Sequence, residues 1–538
     1  MIFVDSFGLL EVSILLVTAV ALLIYWAFVA PLSYWRSRNV PYIPGVPLFG
    51  SLTDALLLKA TLGVVYADMY NKIKGKRYCG FLKFNKPGVL IRDPEIIKNV
   101  LLRDFNSFHD NDVQVDPKLD PLMARNIFVA AGDDWKRIRG AVSPTFTSGK
   151  IKSIYPLIME VCSELKEYFK ENIESSRTKT WEVEMKEMAA QYTTDVVSSS
   201  AFGLKSGAIR NPECEFRRVG RKLLEPTPTH ALALLIILIN PTLANFLRLR
   251  FFPKDITDFF RGLVKEVVSR REATGVTRND FLHLLVQVSK TGKLSLGSTE
   301  EESKNAKNVE GNLTQWSPSR LDDVAAQAVG FFSDGFETSS TALGFVMLEM
   351  AHNPDIQERL RNEIREYMAK NNGELTYEAV TEMPYMDMVF QETLRKYPPA
   401  LAITRICNKR YRLPGVDEHS EGGQGTWIEE GMPVVVPVYG LHHDPMHYPN
   451  PDKFDPERFS EEGKMSRHRF VHLPIGEGPR ICIGIKLGYA QTKAAIATIL
   501  SNFQVLPSEK TKLPIQIDPN YFLISSKDRL WVKFRKIE

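Results

Sequence analysis

The chain is 538 residues long, about a quarter of them charged, with a formal net charge of +4. That length suits one large domain or two ordinary ones, and so small an excess of base does not suggest a nucleic-acid binder. The five cysteines, Cys79, Cys162, Cys214, Cys407 and Cys482, are far apart, odd in number and without CxxC spacing. A disulfide framework or a structural zinc site is therefore not expected, and the ordinary reading of each is a small buried apolar residue.

The first element lies at the N-terminus. No charged residue occurs between Val12 and Trp35, and about 20 apolar residues in a helix span a bilayer core. Tyr25, Trp26, Tyr34 and Trp35 suit an interfacial belt, and Arg36 and Arg38 follow on the side expected to stay cytosolic. A cleaved signal peptide is the competing reading; the long apolar run, the missing basic leader and the missing small-residue cleavage site favour an uncleaved anchor over 1–35. Residues 36–50 carry Pro41, Pro44 and Pro47 and read as a stiff extended connector. The rest, 51–538, follows as the globular part. With it on the cytosolic side, the sequon Asn312-Leu313-Thr314 is expected to go unused.

A second apolar run is centred on Ala231–Ile239, bracketed by Pro226, Pro228 and Pro241, and is too short to span. It is either a buried helix or a segment dipping into the same membrane face. Residues 290–319 are polar and without period, as in an exposed loop. A long helix is expected over Leu321–His352, closed by Asn353-Pro354. It is apolar on most sides yet carries Asp334 and Glu337, which an interior helix would ordinarily exclude. A further helix around Met386–Lys396 ends at Pro398-Pro399, and β-like segments are expected at Pro433–Tyr439 and Tyr521–Phe534.

The loop LPIGEGPRICIGIKLG, 473–488, holds Cys482 where a helical pattern begins. Unpaired N–H groups and the dipole at a helix start favour thiolate. Gly476, Gly478 and Gly484 remove side-chain bulk, so that amides can approach the sulfur and a flat macrocycle can lie against the loop. Two chemistries use such a thiolate: a nucleophile with a histidine base, for which the loop offers only His472, or an iron ligand of haem.

Here the sequence resembles the cytochrome P450 family. The family loop F-x-x-G-x-R-x-C-x-G is matched by Ile475 through Gly484 in all but its first place, where Ile475 replaces phenylalanine. The resemblance implies a mainly α fold with small β-sheets, haem b held by the Cys482 thiolate, and Arg480 as a propionate partner. Trp135-Lys-Arg-Ile-Arg139 looks like the W-x-x-x-R helix, whose spacing puts Trp135 and Arg139 on one face. Arg405 stands where members often supply another propionate contact. Glu392-Thr-Leu-Arg395 looks like the E-x-x-R helix, and Pro456-Glu-Arg458-Phe459 like the PERF block. Glu392, Arg395 and Arg458 are expected to form a buried structural cluster. The motif Glu-x-x-Arg also occurs at Glu215 and Glu358; the company downstream singles out Glu392.

The centre of the long helix, GFFSDGFETSSTALG, resembles the oxygen-activating segment through Gly335, Glu337, Thr338 and Ser339. Gly335 would widen a groove for dioxygen, Thr338 would donate its hydroxyl, and Glu337 would relay protons. Asp334 stands where the family usually has alanine. Positions 334, 337 and 338 share one helical face, so the Asp334 carboxylate is expected to be desolvated with a raised pKa. It is expected either to alter the pocket's polarity, selecting cationic substrates or disturbing the oxygen site, or to turn aside to a neighbouring polar group. Ile127, Phe128, Phe331, Phe332 and Phe522, with the 226–252 region, are expected to line a lipophilic pocket.

The resemblance, strongest to insect microsomal members of the drug- and insecticide-metabolising clan, implies a monooxygenase on the cytosolic face of the endoplasmic reticulum. Its substrates would be xenobiotics, hormones or lipids. Electrons would come from NADPH through a separate flavin reductase, with cytochrome b5 as a second partner. Lys136, Arg137 and Lys486 could help dock such an acidic partner. A haem-binding protein with weak or absent oxygenase activity is the alternative that Asp334 and Ile475 raise, and a membrane-tethered scaffold without haem is discouraged by the ordered motifs.

Overall fold

The N-terminal segment is helical from Ile2 to Ile24, tightens through a π turn over Tyr25–Val29, and ends in a short 3-10 turn, Ala30–Ser33, where Pro31 removes a donor. Glu11–Ser33 is long and apolar enough to cross a membrane. Trp35 departs from its expected place in an interfacial belt. It is 1% exposed, and its indole N–H donates to the carbonyl of Phe81 at 2.9 Å. The ring lies on Gly80, where a Cβ would sit 2.3 Å from it, so only glycine admits the contact. The proline-rich connector is likewise docked: Tyr42 bridges Gly80 and Gly50 bridges Lys83. The computed structural model describes residues 2–224, 227–275, 280–291, 320–417 and 425–537. The sequon, Pro226 and nearly all of the polar stretch 290–319 lie outside these residues.

The globular part is mainly helical, with three small sheets among the described residues. Tyr78–Lys83 pairs antiparallel with Lys86–Ile91, which runs parallel to Pro433–Val436, which pairs antiparallel with Ile403–Ile406. Thr180–Glu184, Trp531–Lys536 and Phe503–Pro507 form the second sheet. Tyr411–Arg412 and Trp427–Ile428 form the third. Two expected β segments are shorter than the sequence suggests. The first stops at Val436, because Pro437 cannot extend the ladder and a helical turn, Val438–His442, follows. The last begins only at Trp531, after a turn in which Arg529 takes a positive φ of 63°.

The central helix runs Arg320–His352, and Pro354 opens the next helix in its first turn, where a missing N–H costs nothing. Val324, Val329, Phe332, Phe336, Leu343 and Val346 are buried around its circumference. It packs against the helices Met185–Val197, Lys254–Thr274 and Ile485–Asn502. The second apolar run is a helix, Pro228–Ile239, started by the Thr227 hydroxyl accepting from the His230 amide. Leu234, Leu235, Leu238 and Ile239 are buried. The helix is thus buried along one face, while Leu232 on it is 38% exposed and Phe246 and Leu247, just beyond it, are 83% and 48% exposed.

Candidate active site

The loop before the helix Ile485–Asn502 is folded by its glycines. Gly476 and Gly478 both have φ of +77°, a region that other residues rarely enter. The Cys482 amide donates to the Ile475 carbonyl at 3.1 Å, which closes the loop around the cysteine. Gly478 does not approach the sulfur as expected. It packs against the Leu101 carbonyl, where a Cβ would fall 1.9 Å away, and it does not line the cavity described next. Its role is to shape the loop; Gly484, beside the sulfur, does line the cavity.

Cys482 lies deep in the protein, yet its side chain has open surface, because it faces a large internal cavity of about 500 Å³. Burial pushes its thiol pKa up; the Gly484 amide and Arg139 pull it down, and Asp334 across the cavity pushes it up. The helix start therefore does not by itself make a thiolate. A cation bound at the sulfur would be needed to hold it deprotonated.

The opposite wall is the middle of the central helix. Asp334, Gly335, Thr338 and Ser339 line the cavity with Phe331. The Thr338 hydroxyl donates to the Asp334 carbonyl one turn back at 2.5 Å, so its proton is already engaged and the oxygen is left to accept. The Gly335 carbonyl accepts from the side-chain amide of Gln491 at 2.8 Å, and that amide also reaches Ser339 Oγ at 2.6 Å. Glu337 differs from expectation. It points away from the cavity and pairs with Lys186 at 2.7 Å, while the same ammonium donates to Ser340 Oγ at 2.8 Å. Helical spacing alone put 334, 337 and 338 on one face; the neighbouring helix Met185–Val197 supplies the cation that turns Glu337 aside.

Trp135, Arg139, Arg405 and Arg480 meet at one side of the cavity. Trp135 and Arg139 do share a face of the helix Gly132–Val142, and the Arg480 guanidinium lies 4.3 Å from the Trp135 ring centre. Arg480 donates to the carbonyls of His109 and Ala130 and approaches Asp110 at 3.4 Å. Arg405 donates to Asn111 at 2.5 Å, but its buried Nε has no partner. The Arg139 guanidinium has neither a hydrogen-bond nor an ion-pair partner among the described residues; burial pushes its pKa down, and the Cys482 sulfur across the cavity pushes it up. Burial and the neighbouring Arg480 push Arg405 down to about 9. Burial, with Arg139 adding to it against the pull of Asp110, pushes Arg480 down to about 10. Three guanidiniums with one nearby carboxylate thus leave positive charge uncompensated beside a cavity with a thiol on one wall. This fits a flat dianionic metal macrocycle, its acid groups toward the arginines and its metal toward Cys482.

Glu392 and Arg395 form a bidentate pair at 2.7 and 2.8 Å, both side chains 0% exposed. Arg395 also donates to the carbonyls of His442 and Pro451, and Glu392 accepts from the Asp455 amide. Arg458 completes the cluster more loosely, 3.5 Å from Glu392, with its firm bond to the Asn450 carbonyl. Ile127, Phe128 and Phe522 line the cavity as expected, whereas Phe332 does not: it is buried among Phe216, Phe260 and Phe336. Leu234, Leu235 and Leu238 of the second apolar run line it too. Lys136, Arg137 and Lys486 are exposed, the first two in pairs with Asp133 and Asp134 and the third bonded to Ser148 Oγ.

Lys186 and Gln491 were not identifiable from the sequence. Both are polar residues inside helical patterns, and the one available signal was their place on otherwise apolar faces. Comparison with known proteins agrees with the geometry. The cytochrome P450 family profile matches residues 40–532. Cytochrome P450 6k1 of Blattella germanica is 37% identical over 538 residues, covering 100% of this chain and 99% of that protein. Cytochrome P450 9e2 of the same insect is 36% identical over 510 residues, 93% of each chain. The probable cytochrome P450 6a13 of Drosophila melanogaster is 35% identical over 526 residues, 98% of this chain and 99% of that one. A haem-thiolate monooxygenase is what these matches and the cavity describe together, and the chain belongs to the cytochrome P450 family.

Proposed function

We propose that this chain is a membrane-anchored oxygenase of lipophilic compounds, with Cys482 as the iron ligand. The observation that carries the reading is the Cys482 sulfur opening into an apolar cavity opposite the Asp334–Thr338 turn, with Arg139, Arg405 and Arg480 at one side. When bound, the haem supplies the activation of dioxygen that puts one oxygen atom into the substrate and the other into water. The three arginines would hold its propionates, and Trp135 would wall off that edge by stacking on Arg480. Thr338 would accept a hydrogen bond through its oxygen, or donate one once its bond to the Asp334 carbonyl is released. Phe128, Phe331, Phe522 and Leu238 would exclude water and hold an apolar substrate. Glu392, Arg395 and Arg458 would fix the helix behind the cysteine loop.

Electrons would come from an NADPH-dependent flavin reductase, with cytochrome b5 as a further donor. The basic residues Lys136, Arg137 and Lys486 would contribute to docking. The apolar helix 11–33 would place the protein in the endoplasmic reticulum membrane with residues 36–538 in the cytosol. Insecticides, hormones and other lipophilic compounds form the substrate class. The test is Cys482→Ser against Cys407→Ser, each reduced under carbon monoxide. The first loses the absorption band of a thiolate-ligated ferrous carbonyl and the second keeps it; retention of the band in Cys482→Ser overturns the assignment.

A further inference from the structure

Two carboxylates line the cavity among the described residues, Asp112 and Asp334. Asp112 is matched by the ammonium of Lys83. The Asp334 carboxylate has one hydrogen bond, from the Ser333 hydroxyl at 3.0 Å, and no cation within ion-pair distance among the described residues. The cations that line the cavity are Lys83, which is taken, and the three arginines assigned above to the propionates. Phe146, Phe331 and Leu238 line the same space, together with Phe522. A carboxylate left unpaired in such surroundings is costly, and the cost falls when a cation arrives. Burial holds the Asp334 pKa up at about 6, so the group is still mostly ionised at neutral pH.

Resting on the reading of the cavity given above, we propose that Asp334 is a specificity residue that selects lipophilic amines, its carboxylate pairing with their protonated nitrogen inside the cavity. The occupant that fits has one positive charge and an otherwise apolar body. A neutral hydrocarbon of the same shape fills the apolar part and leaves the carboxylate unmatched. An acid brings a second negative charge toward it.

The probe pair is N,N-dimethylbenzylamine and its uncharged isostere isobutylbenzene, measured by equilibrium dialysis at neutral pH against the full-length, haem-loaded protein. Asp334→Asn keeps the shape and removes the charge; Asp334→Ala repeats the comparison with a smaller side chain, in case the amide disturbs the helix. The expected result is a loss of tenfold or more in amine affinity in both variants, with isobutylbenzene changed less than twofold. Amine binding that is unchanged, or that falls in step with isobutylbenzene, overturns the proposal. The reduced carbonyl spectrum is taken on the same samples. A normal thiolate spectrum with an unchanged ratio sinks the amine subsite alone, whereas absence of that spectrum in the wild-type protein sinks the cavity reading and the subsite with it.

Discussion

Glu392→Gln tests the buried cluster most directly, because it removes one charge and almost no volume. Arg395 would keep its bonds to the His442 and Pro451 carbonyls and lose two charged bonds of 2.7 and 2.8 Å. A hydrogen bond to a charged group contributes about 1.5–3 kcal/mol, and a guanidinium stripped of its counter-charge in the interior costs about 3–5 kcal/mol in total. Arg458, 3.5 Å from Glu392 and held by Asn450, is cationic and offers Arg395 no substitute. Burial raises the Glu392 pKa and Arg395 opposes that rise, which marks the pair as mutually dependent. The expected loss is therefore about 3–5 kcal/mol for Glu392→Gln. The double variant Glu392→Gln/Arg395→Met should lose less than the two single changes added together. The assay is urea unfolding of the haem-loaded protein, followed by circular dichroism and Soret absorbance together, since one free energy is meaningful only if the two transitions coincide. A loss under 1 kcal/mol, or strict additivity in the double variant, would refute the reasoning.

Three further outcomes follow from the geometry. Lys186→Met should cost about 3–5 kcal/mol by stranding Glu337, and Lys186→Met/Glu337→Gln should recover most of it in a double-variant cycle; no recovery would mean the pair is not coupled. Trp35→Ala should cost about 3–5 kcal/mol in urea unfolding, as for a large core aromatic, and a cost near zero would return Trp35 to the membrane-spanning segment. His443 is half-buried with its ring against Tyr439, and burial, aided by Arg395, pushes its pKa down to about 4. The unfolded chain takes up that proton near pH 6.5, so stability is whole above pH 6.5 and drains away as the pH falls toward 4. His443→Phe should remove up to about 3 kcal/mol of that acid sensitivity; an unchanged slope of stability between pH 6.5 and 4 would contradict the burial.

The cysteine loop and the central helix were legible because their information is local. Glycines and a proline fix the loop, and a long apolar pattern closed by Asn353-Pro354 fixes the helix. The guanidinium cluster was legible through the Trp135–Arg139 spacing together with motifs met in order. What was not legible is which way a side chain turns when a partner from elsewhere captures it. Glu337 obeys its helical position and still faces Lys186, more than a hundred residues away in sequence. Phe332 and Phe331 are neighbours of equal apolarity, yet one joins an aromatic cluster and the other the cavity wall. Trp35 closes an apolar run and suits an interface, but the bare backbone of Gly80 offers it a closer fit. Gln491 looks like any polar residue in a helix until its amide is seen to tie the cysteine helix to the Gly335 carbonyl.

The seating of Trp35 on Gly80 has a mechanical consequence. One residue, Tyr34, separates Ser33, the last of the membrane-length helix, from that inserted ring, so the globular part is bolted to the helix and not trailed behind it on a leash. A tilt imposed on the helix by lipid would be passed through the Trp35–Gly80 contact toward the first strand. Lys83, at the far end of that strand, and Ala55, Leu58 and Leu62, downstream of the docked connector, line the cavity. Bilayer thickness would therefore act as a lever on the part of the cavity wall that these residues form.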